Sequence, residues 1–137
     1  MQKIILMLAI LSLGGCASEP ISNEQAKPVP ANQILNHDLF AEKANTGVVI
    51  IKRDYGYVGI ACLTRVYVDG QQVADLARGE KIIIHPDQGA HIFSAKPNGM
   101  CGGGTVEQSG NVVEGKVLTY RIGHGSDAEL GLYPTAF

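Results

Sequence analysis

The sequence of 137 residues has little charge, no tryptophan and few aromatic residues. Charged side chains make up 18% of it and the net charge is −2, so it lacks the basic surface with which nucleic-acid-binding proteins contact phosphates. Its longest apolar run, at 4–11, is shorter than the roughly 20 residues that a membrane-spanning helix needs. Because 45% of the residues are hydrophobic and the glycines are scattered, a disordered or collagen-like chain is also excluded.

The amino terminus carries the clearest motif. Lys3 precedes the apolar run and small residues follow it, as in a secretory signal peptide. The residues that end this segment resemble the lipobox of bacterial lipoproteins: Leu13-Gly14-Gly15-Cys16. The resemblance implies a signal peptide over 1–15 and a diacylglycerol and an N-acyl chain on Cys16, which together anchor a protein lastingly. We expect no cofactor beyond these covalent lipids. The alternative is an ordinary secretory signal in which Cys16 is incidental.

The residue after Cys16 bears on the destination of the protein. Ala17 stands there instead of aspartate. Under the sorting rule of enterobacterial lipoproteins, this pattern resembles that of lipoproteins on the periplasmic side of the outer membrane. The chain is mildly acidic, so charge does not attract it to an anionic lipid surface. We therefore expect the protein to hang from its lipid.

Residues 16–45 are predicted to be the lipidated cysteine followed by a flexible tether. The segment is rich in polar residues and proline, a composition that buries too little apolar surface to order a chain. Within it, a short amphipathic helix over 32–43 is one interpretation, with Asn32 as its cap and apolar residues close to one face. An extended linker is the alternative.

Residues 46–137 predict an all-β domain. Short β-branched or alternating segments recur about every 8–12 residues, separated by turn residues such as Asp69-Gly70. No segment after Asn45 has a clear helical period. The pattern favours an antiparallel β-sandwich or small barrel of seven to eight short strands, stapled by one disulfide.

Part of this domain has a recognisable pattern of turns. The hairpin sequence Tyr67-Val68-Asp69-Gly70 is followed by a second turn and strand at 86–92. Over 65–95 the chain resembles PEGA-type modules and the small bacterial lipoproteins that share their pattern. The resemblance implies a surface-anchored β-sandwich that binds or scaffolds, and it supplies no catalytic residues.

Two cysteines remain once Cys16 carries lipid. Cys62 and Cys101 would lie in an oxidising compartment, where a pair of cysteines usually forms a disulfide. A free reactive thiol and a metal ligand are the alternatives. A Cys101 nucleophile with His124 as its base is conceivable, but no known cysteine-protease motif surrounds either residue.

The candidate contact residues lie in predicted loops. Tyr55 and Tyr57 flank a glycine, and tyrosine is enriched at protein interfaces, while His124 is the most loop-like histidine. His85 and His91 could face each other across a hairpin as a pH sensor or metal ligands. However, two histidines do not complete a zinc site, and we predict no metal site.

Together these observations predict a lipid-anchored periplasmic envelope protein with a non-catalytic binding or scaffolding role. Its expected partners are the membrane, through the anchor, and an envelope protein or peptidoglycan; nucleic acid is excluded. The first alternative is an inhibitor or immunity lipoprotein directed at an envelope-targeting enzyme such as a lysozyme. The second is an enzyme that uses Cys/His chemistry.

Overall fold

The computed structural model describes residues 17–137, so the predicted signal peptide over 1–15 and the lipidation of Cys16 lie outside the described residues. The described chain forms nine strands and two short 3₁₀ helices, Ala31–Gln33 and His37–Phe40. The strands are β1 (Lys27–Pro28), β2 (Val48–Arg53), β3 (Thr64–Val68), β4 (Gln71–Leu76), β5 (Glu80–Ile84), β6 (Gly89–Pro97), β7 (Val106–Val112), β8 (Val117–His124) and β9 (Leu130–Pro134).

The strands form two sheets over one core. The first sheet has the order β1-β5-β2-β8-β9 and the second the order β4-β3-β6-β7. The predicted all-β fold with one disulfide is therefore confirmed, as a two-sheet arrangement and not as a closed barrel within residues 17–137. The sequence predicted seven to eight strands, and residues 17–137 form nine, of which β1 has only two residues.

Two strand pairings are parallel and so differ from the expected antiparallel pattern: β1 with β5, and β2 with β8. β2 pairs with β8 in parallel, from Val48 opposite Val117 to Arg53 opposite Ile122. Between β2 and β8 the chain forms all four strands of the second sheet and also β5 of the first sheet, and it then begins β8 at the same end of the sheet as β2. Sequence patterns indicate hairpins between consecutive strands, but they contain little information about such long-range neighbours.

The β3–β4 hairpin forms as its sequence predicts. Asp69 and Gly70 both have positive φ, 50° and 80°, as the tight turn between two twisted strands requires. The alternation of β3 places Val66 and Val68 in the core, whereas Tyr67 points to the other face. Turn chemistry and side-chain period agree here, which makes this hairpin the most predictable element of the fold.

The core lies between the inner faces of the two sheets. Its largest aromatic contact joins Phe93 of β6 to Tyr120 of β8, with ring centroids 5.1 Å apart. The Tyr120 hydroxyl donates a hydrogen bond to the Ser109 carbonyl at 3.2 Å. Gly110 makes room for this ring, since a Cβ there would overlap the Tyr120 hydroxyl. Branched aliphatic side chains fill the rest of the core: Val49, Ile51, Val66, Leu76, Ile82, Ile84 and Ile122.

The predicted flexible tether is instead packed against the first sheet. Ile21 and Ala26 are buried, and the backbone of β1 adds to the edge of β5 through hydrogen bonds such as Lys27 N to Gly79 O, 2.8 Å. The segment also covers Lys52, whose ammonium is fully buried and donates to the Asn23 side chain at 2.9 Å. The prediction of a flexible tether was wrong because the amino-acid composition of a segment does not show that a few of its side chains are buried, nor that a neighbouring sheet edge can pair with it.

The predicted helix over 32–43 is replaced by the two 3₁₀ helices. Ile34, between them, is extended and forms a β-bridge with Ala74, which interrupts any continuous helix. Asn36, and not the predicted Asn32, caps a helix by accepting a hydrogen bond from Asp38 N at 3.2 Å. Leu39 and Phe40 pack on the core from the second helix.

Candidate functional site

The predicted contact residues meet at one end of the sandwich, which we call the disulfide pole. It consists of the loops 54–63, 98–105 and 125–129, which follow β2, β6 and β8. Tyr55 and Tyr57 lie in the first loop, whereas His124, which was predicted to lie in a loop, is the last residue of β8 and directly precedes the third loop. The sequence predicted these residues separately, and the topology brings their loops together because β2, β6 and β8 all end at this pole.

A disulfide joins two of these loops, as predicted. Cys62 and Cys101 are bonded, with their Cα atoms 6.1 Å apart. The bond excludes both alternatives for these cysteines, a free thiol and a metal ligand. It also removes the nucleophile that a Cys101–His124 catalytic pair would require.

Arg53 supports the first loop from inside. Its side chain is 4% exposed, and its guanidinium donates to three backbone carbonyls: Cys62 at 2.7 Å, Leu76 at 2.9 Å and Gly59 at 2.8 Å. Burial lowers the pKa of Arg53 from its ordinary value. Sequence reasoning missed this residue, although the signal was present. Arg53 occupies an inward position in the alternation that places Val49 and Ile51 in the core.

A cleft of about 590 Å³ opens at the disulfide pole. His124 lies in its wall, and burial together with the charge of Arg53 lowers the pKa of this histidine. The imidazole is therefore neutral at neutral pH and can both donate and accept a hydrogen bond. The rest of the wall combines the disulfide and apolar side chains with a smaller number of polar groups, among them Thr64, Thr105 and the Glu129 side chain. Such a wall can hold a small group by shape and hydrogen bonding.

The two predicted contact tyrosines have different roles. Tyr55 packs its ring against Gly79, and its backbone forms a β-bridge with Glu19, so it is mainly structural. Tyr57 is 86% exposed, and the Arg78 guanidinium lies over its ring, 5.9 Å from the centroid. Tyr57 is therefore the tyrosine of this loop that is free to contact another molecule.

The first described residues are fastened to the same pole. Ser18 N donates to the His124 carbonyl at 2.9 Å, and His124 N donates to Ser18 Oγ at 2.9 Å. Ser18 Oγ also lies 3.3 Å from a carboxylate oxygen of Asp54, which accepts a further hydrogen bond from Arg121. Burial raises the pKa of Asp54, while the contacts with Arg121 and Ser18 oppose that rise. We call Ser18, Asp54, Arg121 and His124 the N-terminal latch.

His91 pairs with Asp69 and not with His85. Its Nδ1 lies 2.6 Å from the Asp69 carboxylate and its Nε2 lies 2.6 Å from the Asp87 carbonyl. Both partners are acceptors, so the protonated imidazolium fits this site best. Burial acts to lower the pKa of His91, but these two acceptors outweigh it and the pKa is raised. Within residues 17–137, no three histidine, cysteine or acidic side chains are grouped as metal ligands.

The His91–Asp69 pair predicts a pH-dependent stability. Because the pKa of His91 is raised in the folded state, its contribution is complete below the ordinary value of about 6.5 and is lost as the pH rises through the raised pKa. The pKa of Asp69 is lowered, although burial opposes this, so its contribution is present above about pH 4 and is lost on further acidification.

We therefore expect H91Q to destabilise the protein more at about pH 5.5 than at about pH 8.5. Urea unfolding at both pH values measures the difference. The matched control is H37Q, because His37 is exposed on a 3₁₀ helix. An H91Q effect that is equal at both pH values would contradict the assignment of an imidazolium.

Comparison with protein-family models, with curated proteins and with solved structures gives no match. The resemblances to bacterial lipoproteins and to PEGA-type modules thus remain predictions from the sequence. No helix among residues 17–137 has the length and hydrophobicity to cross a membrane.

Proposed function

We propose that this chain is a lipid-anchored envelope protein whose β-domain binds or scaffolds other envelope components without catalysis. The observation that carries the proposal is the position of the lipobox relative to the folded domain. Leu13-Gly14-Gly15-Cys16 ends two residues before Ser18, which is already hydrogen-bonded to β8. A signal peptide that is cleaved at Cys16 would leave a folded domain directly behind the modified cysteine.

The chemistry of the disulfide pole supports a non-catalytic role. Cys62 and Cys101 form a disulfide, so neither offers a thiolate for nucleophilic attack. His124 lies beside Arg53, whose charge disfavours the imidazolium that a general base must form. A cleft with these walls is better suited to holding a group than to transforming it.

The proposed location is the periplasmic side of the outer membrane. Enterobacterial lipoproteins that stay in the inner membrane have aspartate after the lipidated cysteine, whereas this chain has Ala17 there. The partners would be the membrane itself, through the lipid on Cys16, and an envelope protein or peptidoglycan. Binding residues often lie on loops of a rigid two-sheet body. The sheets hold the ends of each loop in place, while the sequence of the loop can vary to suit a partner.

We expect C16S to abolish the attachment of lipid. Cells that are fed labelled palmitate should label the natural chain and not C16S, and C16S should be lost from the outer-membrane fraction, because the serine hydroxyl does not form the thioether. S12A, which changes the apolar segment and keeps the lipobox, is the control. A natural chain without label, or C16S that stays in the outer membrane, would refute the anchor.

A further inference from the structure

We propose that the disulfide pole lies against the membrane that holds the lipid of Cys16, with Tyr57, Ile60 and Met100 inserted among the lipid headgroups. The inference rests on the proposed lipid anchor and names the surface that the predicted contact loop meets. It replaces the expectation that the domain hangs from its lipid on a flexible tether.

The chain between the proposed lipid on Cys16 and the folded domain is short. Ser18 is held by its backbone to His124, and Glu19 pairs with Tyr55 through hydrogen bonds of 2.7 and 3.1 Å. Only Ala17 separates Cys16 from this latched segment. Two extended residues span about 7 Å, so the Cα of Cys16 stays within that distance of the Cα of Ser18.

The proposed lipid also determines how close the backbone of Cys16 lies to the membrane. The acyl chains on Cys16 are buried in the hydrocarbon, which places its backbone at the level of the headgroups. With the latch closed, the disulfide pole therefore has no room to move away from the lipid surface. A long tether would allow any orientation, whereas this connection fixes which end of the domain faces the membrane.

The surface of the disulfide pole exposes large apolar side chains. Met100 is 101% exposed, Tyr57 86% and Ile60 49%. The loops that carry these side chains are joined by the Cys62–Cys101 bond, and Arg53 braces the loop of Tyr57 and Ile60 from below. Large apolar side chains on braced loops keep their exposure instead of folding back onto the domain.

The chemistry of these side chains suits a lipid interface. Tyrosine combines an apolar ring with a polar hydroxyl and is enriched at the level of the headgroups, where arginine can remain hydrated beside it. Arg78 accompanies Tyr57, whereas Asp127 and Glu129 at the same pole are acidic. The contact is therefore based on apolar insertion and not on charge attraction.

The opposite end of the domain differs in character. Its turns at 69–70, 86–88 and 113–116 carry mainly polar and charged residues: Asp69, Asp87, Gln88, Glu114 and Lys116. A cleft of about 330 Å³ lies there beside Asp69 and His91. In the proposed orientation this end points away from the membrane, where a soluble envelope partner could reach it.

The absence of tryptophan allows a direct test. Y57W in the full lipidated chain provides a single fluorescent reporter at the disulfide pole. The protein is reconstituted in vesicles of phosphatidylethanolamine and phosphatidylglycerol whose acyl chains are either brominated or not. The matched control is I92W, since Ile92 is 42% exposed on β6, toward the opposite end.

We expect brominated lipid to quench Y57W several times more strongly than I92W, with a blue-shifted emission for Y57W. Equal, weak quenching of both variants in chains that sediment with the vesicles would overturn the membrane contact and leave the anchor intact. Strong quenching of Y57W by aqueous iodide on the vesicles would also overturn it, and would make a protein partner the better interpretation. Chains that fail to sediment with vesicles would refute the proposed function itself.

Discussion

Replacing both Cys62 and Cys101 by alanine is expected to lower the free energy of unfolding by about 4 kcal/mol. The disulfide closes a loop with a sequence separation of 39 residues, which strongly restricts the unfolded chain. Domains of this size have a total stability of about 5–15 kcal/mol, so the loss would be a large fraction of it. Because the disulfide joins two loops of the disulfide pole, its removal should loosen this pole before the rest of the fold.

Urea unfolding of the natural chain and of the double variant, each with and without reductant, measures this effect. Reductant should destabilise the natural chain by nearly the same amount as the double substitution and should leave the double variant unchanged. Mass spectrometry without reduction should find two hydrogens fewer in the natural chain than its sequence requires. Two free thiols, or a double variant as stable as the natural chain, would contradict the prediction.

Local sequence features predicted much of this fold. The Asp69-Gly70 turn and the alternation of β3 determine a hairpin from a few neighbouring residues, and the sequence predicts it correctly. The disulfide was predicted from two remaining cysteines and from the oxidising compartment that the amino-terminal motif implies. Each of these inferences depends on residues close in sequence or on covalent chemistry, which a sequence displays directly.

Contacts between distant segments could not be predicted in this way. The parallel pairing of β2 with β8 and the packing of residues 18–29 on the first sheet depend on which edges are left open once the other strands have paired. A tail with this polar composition could equally remain free in solution. In the folded chain Ile21 of this segment is buried and the Asn23 side chain accepts a hydrogen bond from the buried Lys52 ammonium, and composition shows neither contact.

The candidate site shows the same division. Tyr57 was predicted as a contact residue because tyrosine is enriched at protein interfaces, and His124 because its neighbours are typical of a loop. Arg53 was overlooked because a basic residue at the end of a strand usually faces solvent. Its role depends on three carbonyls from separate segments, and only the folded chain brings them to one guanidinium.

Arg53 therefore provides the second prediction of large effect. R53M should lower the free energy of unfolding by about 3 kcal/mol, because methionine fills a similar volume but leaves the carbonyls of Gly59, Cys62 and Leu76 without their charged donor. R53K should fall between R53M and the natural chain. Its single ammonium retains the charge but cannot reproduce the planar fork that reaches three acceptors.

R78M is the matched control for this effect, because Arg78 is exposed in a turn at the same pole. It should change the stability by no more than about 0.5 kcal/mol. Urea unfolding gives the stability of each variant, and hydrogen exchange of the amides at 54–63 reports the loop itself. R53M should accelerate exchange in that loop well beyond its effect on β2 and β8. If R53M and R78M were equally stable, or if exchange rose uniformly over the domain, Arg53 would not be the brace of the disulfide pole.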